Sequence, residues 1–188
     1  MINRREAISR VALLMGGAVL GADAFLSGCK TNTPGVSFSA SDITFLNEVA
    51  ETIIPATNTP GAKEAKVGEF MQVMVNDCYE EKDQKTFMEG IKKLEEASKK
   101  ASGKGFVESD ATARKNLLIE LDKEAKEFNK TKKEDESKHY FSMMKELTLT
   151  GFFTSEVGAT KALRYVAVPG KFDGSFPYKK GDKAWATS

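Results

Sequence analysis

Cys29 has the clearest chemistry in the sequence. It closes the run Leu26-Ser27-Gly28-Cys29, in which two small residues precede a thiol. A lipoprotein signal peptidase cuts at that order of residues, and the thiol Sγ is the atom that receives a diacylglyceryl group. Before it, Val11–Leu26 (VALLMGGAVLGADAFL) is short and apolar apart from Asp23, and Met1–Arg10 carries Arg4, Arg5 and Arg10 against Glu6 alone. A basic segment followed by a short apolar one is an export signal rather than a spanning helix, which needs about 20 apolar residues. Residues 1–28 are thus expected to be removed, leaving an exported lipoprotein held on the periplasmic side by acyl chains on Cys29. Which membrane carries it stays open. Arg4-Arg5 fits a twin-arginine signal, the route for cargo exported folded, and Gly16, Gly17 and Gly21 keep the apolar run only mildly hydrophobic. Ala7 and Ser9 depart from the bulky and basic residues often found at that point, so ordinary secretory export stays open too.

The other residues that could do chemistry read mainly as structure. His139, the single histidine, stands beside Tyr140 at a helix start, where packing is the simpler role. Cys78 falls on the apolar stripe of a helix and is expected to be a buried, inert thiol. Glu80, Glu81 and Asp83, like Glu134, Asp135 and Glu136, alternate with lysines and read as solvated faces. Gly103-Lys104-Gly105 is too short for a phosphate loop and follows no strand. Met71, Met74, Met143 and Met144 sit at helical spacing and read as core filler. Two cysteines and one histidine leave too few ligands for a zinc site, an iron–sulfur cluster or a haem held by this chain alone. No C-x-x-C-H run and no dinucleotide glycine fingerprint is present. The expectation is a chain without a cofactor, a metal or catalytic residues of its own.

Charge narrows the partners. The 188 residues hold 28 Lys and Arg against 27 Asp and Glu, and removal of residues 1–28 takes away three arginines and two acids, leaving 25 of each. No basic excess is available to release counterions from a nucleic acid, so none is expected as a partner. Membrane attachment has to come from the lipid rather than from net charge. With Cys29 acylated, Cys78 has no intramolecular disulfide partner.

The elements that must position these residues are helical. Residues 29–40 carry the lipidated cysteine and a turn-rich stretch read as a flexible tether, and residues 41–188 form the domain. Ser41 is the expected cap of a first helix bearing Ile43, Leu46, Ala50, Ile53 and Ile54 and stopped by Pro55. Pro55–Gly61 (PATNTPG) is a turn-rich loop. Val67, Phe70, Met71, Met74, Val75 and Cys78 recur at helical spacing. A third helix is expected over about Gln84–Lys100 with Phe87, Ile91 and Leu94 inward. A fourth, capped by Ser109, carries Leu117, Leu118, Leu121, Ala125 and Phe128. Asn129–Ser137 reads as a solvated connection. A fifth helix covers about Lys138–Thr150, and Ser155 caps a short sixth through Arg164. Lys171–Ser188 has aromatic residues and no period. No alternating strand pattern appears. The fold class is an all-α, single-domain bundle of about five or six helices with an irregular, aromatic-containing C-terminal tail.

Three stretches together resemble the small subunit of membrane-bound gluconate 2-dehydrogenase, the subunit 3 family. They are Glu48–Gly61 (EVAETIIPATNTPG) with Ala62 and Val67-Gly68, Leu147–Tyr165 (LTLTGFFTSEVGATKALRY), and Val168-Pro169-Gly170 with Lys171-Phe172-Asp173-Gly174. The likeness runs over about Asp42–Trp185, with little in the central helices Asp83–Lys133 beyond an amphipathic pattern. The resemblance implies a non-catalytic chain that accompanies a large FAD-dependent oxidoreductase of the glucose–methanol–choline type, assisting its export, maturation or anchoring. It also implies a cytochrome or another membrane acceptor for the electrons. The lipobox is not a general feature of that family, so here the small chain is also a candidate anchor. A free-standing lipoprotein that binds a ligand or another protein is the alternative.

If the chain docks on a larger partner, its candidate contacts are Thr59, Pro60 and Gly61 in the turn-rich loop, Phe152, Phe153 and Ser155 at a helix junction, and Pro169, Gly170, Phe172 and Trp185 in the tail. Aromatic residues dominate interface energetics, and an isolated tail gains little from showing Phe172, Phe176, Tyr178 and Trp185 to water. Phe152 and Phe153 are equally readable as core, and Pro55–Gly61 as a rigid connection.

Overall fold

The computed structural model describes residues 36–168 and 170–186. Arg4, Arg5, Cys29 and Pro169 lie outside the described residues. Among the described residues, five α-helices and one π-helical turn follow in chain order: α1 (Ala40–Ile53), α2 (Val67–Cys78), α3 (Glu81–Ser102), α4 (Ala111–Thr131), α5 (Tyr140–Thr154) and the turn Gly158–Ala162. No strand forms among the described residues. A single isolated bridge joins Arg164 to Trp185.

The helix starts follow side-chain chemistry that periodicity alone does not show. Ser39 caps α1, not Ser41: Ser39 Oγ accepts from the Asp42 amide at 3.2 Å while Asp42 Oδ2 accepts from the Ser39 amide at 2.9 Å. That reciprocal pair satisfies two otherwise unpaired donors at once, and Ser41 has no such partner. Asp110, not Ser109, caps α4, with Oδ1 accepting from the amides of Thr112 (2.9 Å) and Ala113 (3.0 Å). Ser109 is buried instead and donates to Gly105 O at 2.9 Å. Gly103 ends α3 at φ 74°, a left-handed conformation that glycine adopts without steric cost. The end of the expected tether packs on the domain, because Val36 and Phe38 lie against the core and the Phe38 ring is 6.2 Å from that of Phe87.

α5 is the central element. It packs against each of the other four helices and the π-helical turn, and it buries Tyr140, Phe141, Met143, Met144, Leu147, Thr148, Gly151 and Phe152. A helix surrounded on most sides has little amphipathic asymmetry, so its sequence carries the weakest stripe. Two close approaches need glycine. A Cβ on Gly90 of α3 would come within 2.4 Å of Tyr140 Cβ, and one on Gly151 within 2.6 Å of the Phe70 ring.

The expected stripes are recovered in α3 (Phe87, Ile91, Leu94) and in most of α4 (Leu117, Leu118, Leu121, Ala125). Two positions and one element differ. Phe128, one turn past Ala125, stands edge-on to the His139 ring at 5.6 Å and lines an open groove, which leaves it 42 % exposed. Cys78 is the last residue of α2 and is exposed, since its stripe runs off the end of the helix. The expected sixth helix shortens to the π-helical turn, which closes against the end of α5 so tightly that a Cβ on Gly158 would sit 1.9 Å from Phe152 O.

Candidate functional site

The turn-rich loop after α1 is held from below by one carboxylate. Glu51 accepts from the Ala56 amide through Oε1 (2.9 Å) and from the Lys63 amide through Oε2 (2.8 Å). The loop closes with Thr57 N–H donating to Thr59 O at 2.9 Å and Ala62 N–H to Ile54 O at 3.0 Å. Gly61 is buried over Glu51 and is committed to this packing. A Cβ there would lie 2.3 Å from Glu51 Oε1 and 2.6 Å from Ala56 N. Thr59 and Pro60 are half-buried. The loop is therefore a rigid connection whose outer residues, from Pro55 to Asn58, face solvent.

Next to it, Glu48 ties three elements together. Its carboxylate pairs with Lys63 of the loop and with Arg114 Nη1 of α4 at 2.5 Å. Arg114 also donates to Ser109 O (2.8 Å) and Val107 O (2.6 Å) and lies over the Phe106 ring. Glu48 is held below the usual carboxylate range: partial burial opposes ionisation, but its hydrogen bonds to Lys63 and Arg114 and their positive charges outweigh it. This is a packing network with no open position for a ligand.

At the other end of the bundle a groove of about 670 Å³ lies over Leu121, Phe128, His139 and Tyr140, rimmed by Lys93, Glu96, Lys100 and Glu124. His139 caps α5, its Nδ1 accepting from the Phe141 amide at 3.2 Å, and Nε2 stands 3.7 Å from Glu124. Burial holds its pKa below the usual histidine value, opposed by Glu124. The Tyr140 hydroxyl is pushed up to about 12 by burial and by Glu124. Nδ1 of His139 is thus engaged in holding the start of α5. No group of three or more His, Cys, Asp and Glu among the described residues is placed to hold a metal ion.

The two aromatics at the helix junction divide. Phe152 is 2 % exposed and belongs to the core, which removes it from the candidate contacts. Its neighbour Phe153 points outward at 40 % exposure, edge-on to Phe152 at 5.1 Å, and Leu149 one turn earlier is also exposed. Ser155 is occupied in shaping the junction, donating to Phe152 O at 2.6 Å and accepting from the Gly158 amide at 3.0 Å. That places it as the expected cap of the next turn. Gly170 is exposed and takes φ 74°, as only glycine does easily. Phe172 is 96 % and Trp185 44 % exposed. Tyr165 and Val166 were not singled out from the sequence, yet they are exposed and continue the apolar surface along the chain toward the tail. Their only sequence signal is an apolar pair after the last helical residue.

The sequence profile of gluconate 2-dehydrogenase subunit 3 matches residues 40–170. The chain belongs to this family. Neither a curated protein nor a solved structure matches it. The subunit 3 match takes in all five helices and the π-helical turn, starting at the first residue of α1. It stops short of Trp185, where the resemblance read from the sequence ended, so most of the aromatic tail lies beyond it. The family description is that of one subunit of a dehydrogenase complex. Leu149, Phe153 and Phe172 are among the large apolar residues that the fold leaves exposed.

Proposed function

We propose that this chain is the non-catalytic small subunit of a membrane-associated, FAD-dependent sugar or alcohol dehydrogenase of the glucose–methanol–choline type, and that it helps to export, mature or anchor the catalytic flavoprotein. The observation that carries the reading is the family match across residues 40–170. The arrangement of this chain's own polar groups supports it. Glu48, Glu51, Arg114 and His139 each hold backbone or side chains of the bundle together. Flavin chemistry belongs to the partner, and a cytochrome or another membrane acceptor would take its electrons. This chain supplies the address through Arg4-Arg5, the anchor through acylated Cys29, and a docking face that includes Phe153.

Co-expression with a candidate flavoprotein of the glucose–methanol–choline type tests the reading. The two are expected to co-purify as a defined complex whose flavin stays with the large chain. Deleting the small chain, or changing Arg4-Arg5 to Lys-Lys, is expected to leave the flavoprotein in the cytoplasm. Cys29→Ser is expected to release the complex from the membrane fraction, because two or more acyl chains supply the binding. A flavoprotein exported and fully active without this chain would overturn the proposal.

A further inference from the structure

Residues 171–186 are built as a shaped loop rather than a frayed end. Arg164, just after the π-helical turn, forms its base. The Arg164 amide donates to Ala184 O at 2.7 Å and its carbonyl accepts from the Ala186 amide at 2.8 Å. Its guanidinium lies 4.7 Å from the centre of the Trp185 ring and 5.3 Å from that of Phe176. Those two rings meet edge to face at 5.4 Å, and the Asp182 carboxylate is 3.8 Å from the guanidinium. Two local turns shape the span above this base. Asp173 Oδ1 accepts from the Ser175 amide at 3.1 Å. Asp182 Oδ2 accepts from the Lys179 amide at 2.9 Å, and the Asp182 amide donates back to Lys179 O at 2.9 Å. On this pinned backbone Phe172 is 96 % and Tyr178 75 % exposed. Aromatic side chains carried by an already ordered backbone lose little further freedom on binding, which favours a tight contact.

Charge indicates what would meet them. Residues 36–164 carry 23 Asp and Glu against 20 Lys and Arg, whereas 171–186 carry four lysines against two aspartates. The near-neutral total hides a basic tail on an acidic body. Such a tail is drawn to an acidic surface. The family match ends at residue 170, so the loop lies outside the matched residues.

We propose that residues 171–186 are a clamped recognition loop that docks on an acidic, apolar-pocketed face of the catalytic subunit, and that Arg164 is its positioning residue. The proposal rests on the small-subunit reading above. Phe172 and Tyr178 enter the pockets, Lys179 and Lys180 meet carboxylates, and Arg164 keeps the base closed. A lipid surface would accept the same aromatics and lysines without needing two defined turns, so the shaped backbone favours a protein.

The test measures the affinity of the full chain for the co-expressed flavoprotein at low and high salt. The pair Phe172→Ala with Tyr178→Ala is expected to weaken the complex about tenfold or more. Lys179→Glu with Lys180→Glu is expected to weaken it and to remove most of its salt dependence. Arg164→Ala is expected to weaken it while the helical melt of the free chain stays unchanged. The emission of Trp185, the single tryptophan, is then expected to move to longer wavelength as the stack opens. Variants that bind the flavoprotein as the parent does would overturn the loop proposal and leave the small-subunit reading standing. Absence of any complex with the parent chain would overturn both. Vesicles of phosphatidylglycerol and phosphatidylcholine serve as the control: if the loop variants lose vesicle binding while the flavoprotein affinity is unchanged, the occupant is a lipid surface and the proposal fails.

Discussion

Gly61 and His139 show how much single positions carry in this domain. A methyl group on Gly61 would collide with both oxygens of Glu51 and with the Ala56 amide at 2.6 Å. The carboxylate is itself fixed by two amides, so it cannot simply swing away. Gly61→Ala is expected to cost about 1–3 kcal/mol, read as a lower melting temperature. His139 offers a test by pH. Its folded pKa lies below the ordinary 6.5 because burial disfavours the imidazolium. Below that ordinary value the unfolded chain binds more protons than the folded one, so stability present above pH 6.5 is lost as pH falls toward the folded pKa. Protonation would also place an N–H at Nδ1 against the Phe141 amide that it now accepts from. Glu124 faces the ring and resists the shift, while Lys93 adds to it. Melting temperature is expected to fall between pH 7.5 and 5.5, and His139→Asn, which can still cap α5, should flatten that slope. An equal slope in the variant would assign the effect elsewhere. Glu48, Asp110 and Asp122 are held below ordinary carboxylate values, and their contribution is lost only in more acid solution.

The element scale is governed by how closely α5 is approached. Gly90 lets α3 rest directly on Tyr140, and a Cβ would fall 2.4 Å from Tyr140 Cβ and 2.6 Å from Cγ. Alanine gains about 1 kcal/mol of helix propensity over glycine. It also overpacks a contact whose neighbour is the root of a side chain, which cannot rotate aside, at a cost of about 1–3 kcal/mol. The second effect should win or nearly cancel the first, so Gly90→Ala is expected to leave the melting temperature unchanged or lower. A clear rise would show that the helices have room to part. The Glu48–Arg114 pair fastens α1 to α4 by a similar logic. Both side chains are mostly buried, and the guanidinium also serves the carbonyls of Val107 and Ser109.

Across the described residues of the molecule, the buried apolar side chains run from Phe45 to Phe152, with none between 171 and 186. Removing residues 171–188 is therefore expected to preserve the helical circular dichroism spectrum and to shift the melting temperature by no more than about 4 °C, the equivalent of roughly 1 kcal/mol. The same truncation should weaken any complex with the flavoprotein far more than it weakens the fold. A collapse of the helical signal would place the tail in the folding unit itself.

The sequence by itself determined the helices and the family. Apolar residues three and four apart must lie on one side of a helix whatever surrounds it, so the stripes of Phe87, Ile91 and Leu94 and of Leu117, Leu118 and Leu121 could be read directly. So could the capping role of Ser155, which depends on neighbours three residues away. The Ser39–Asp42 pair had the same local signal, a serine followed three residues later by an acid, although Ser41 stood closer to the expected start. Other features depend on residues far apart in the chain. Phe152 is core and Phe153 is surface because α5 has helices on most of its circumference, and adjacent residues point 100° apart. Cys78 and Phe128 continue their stripes, but Cys78 falls at the end of its own helix and Phe128 on a groove that the neighbouring helices leave open, so a correct period still misplaces them. Arg164 reads as an ordinary surface cation until the chain returns at Trp185 and Phe176 to close on it. Periodicity reports which side of a helix is apolar. Only the tertiary structure decides how far along the helix that side is covered, and by what.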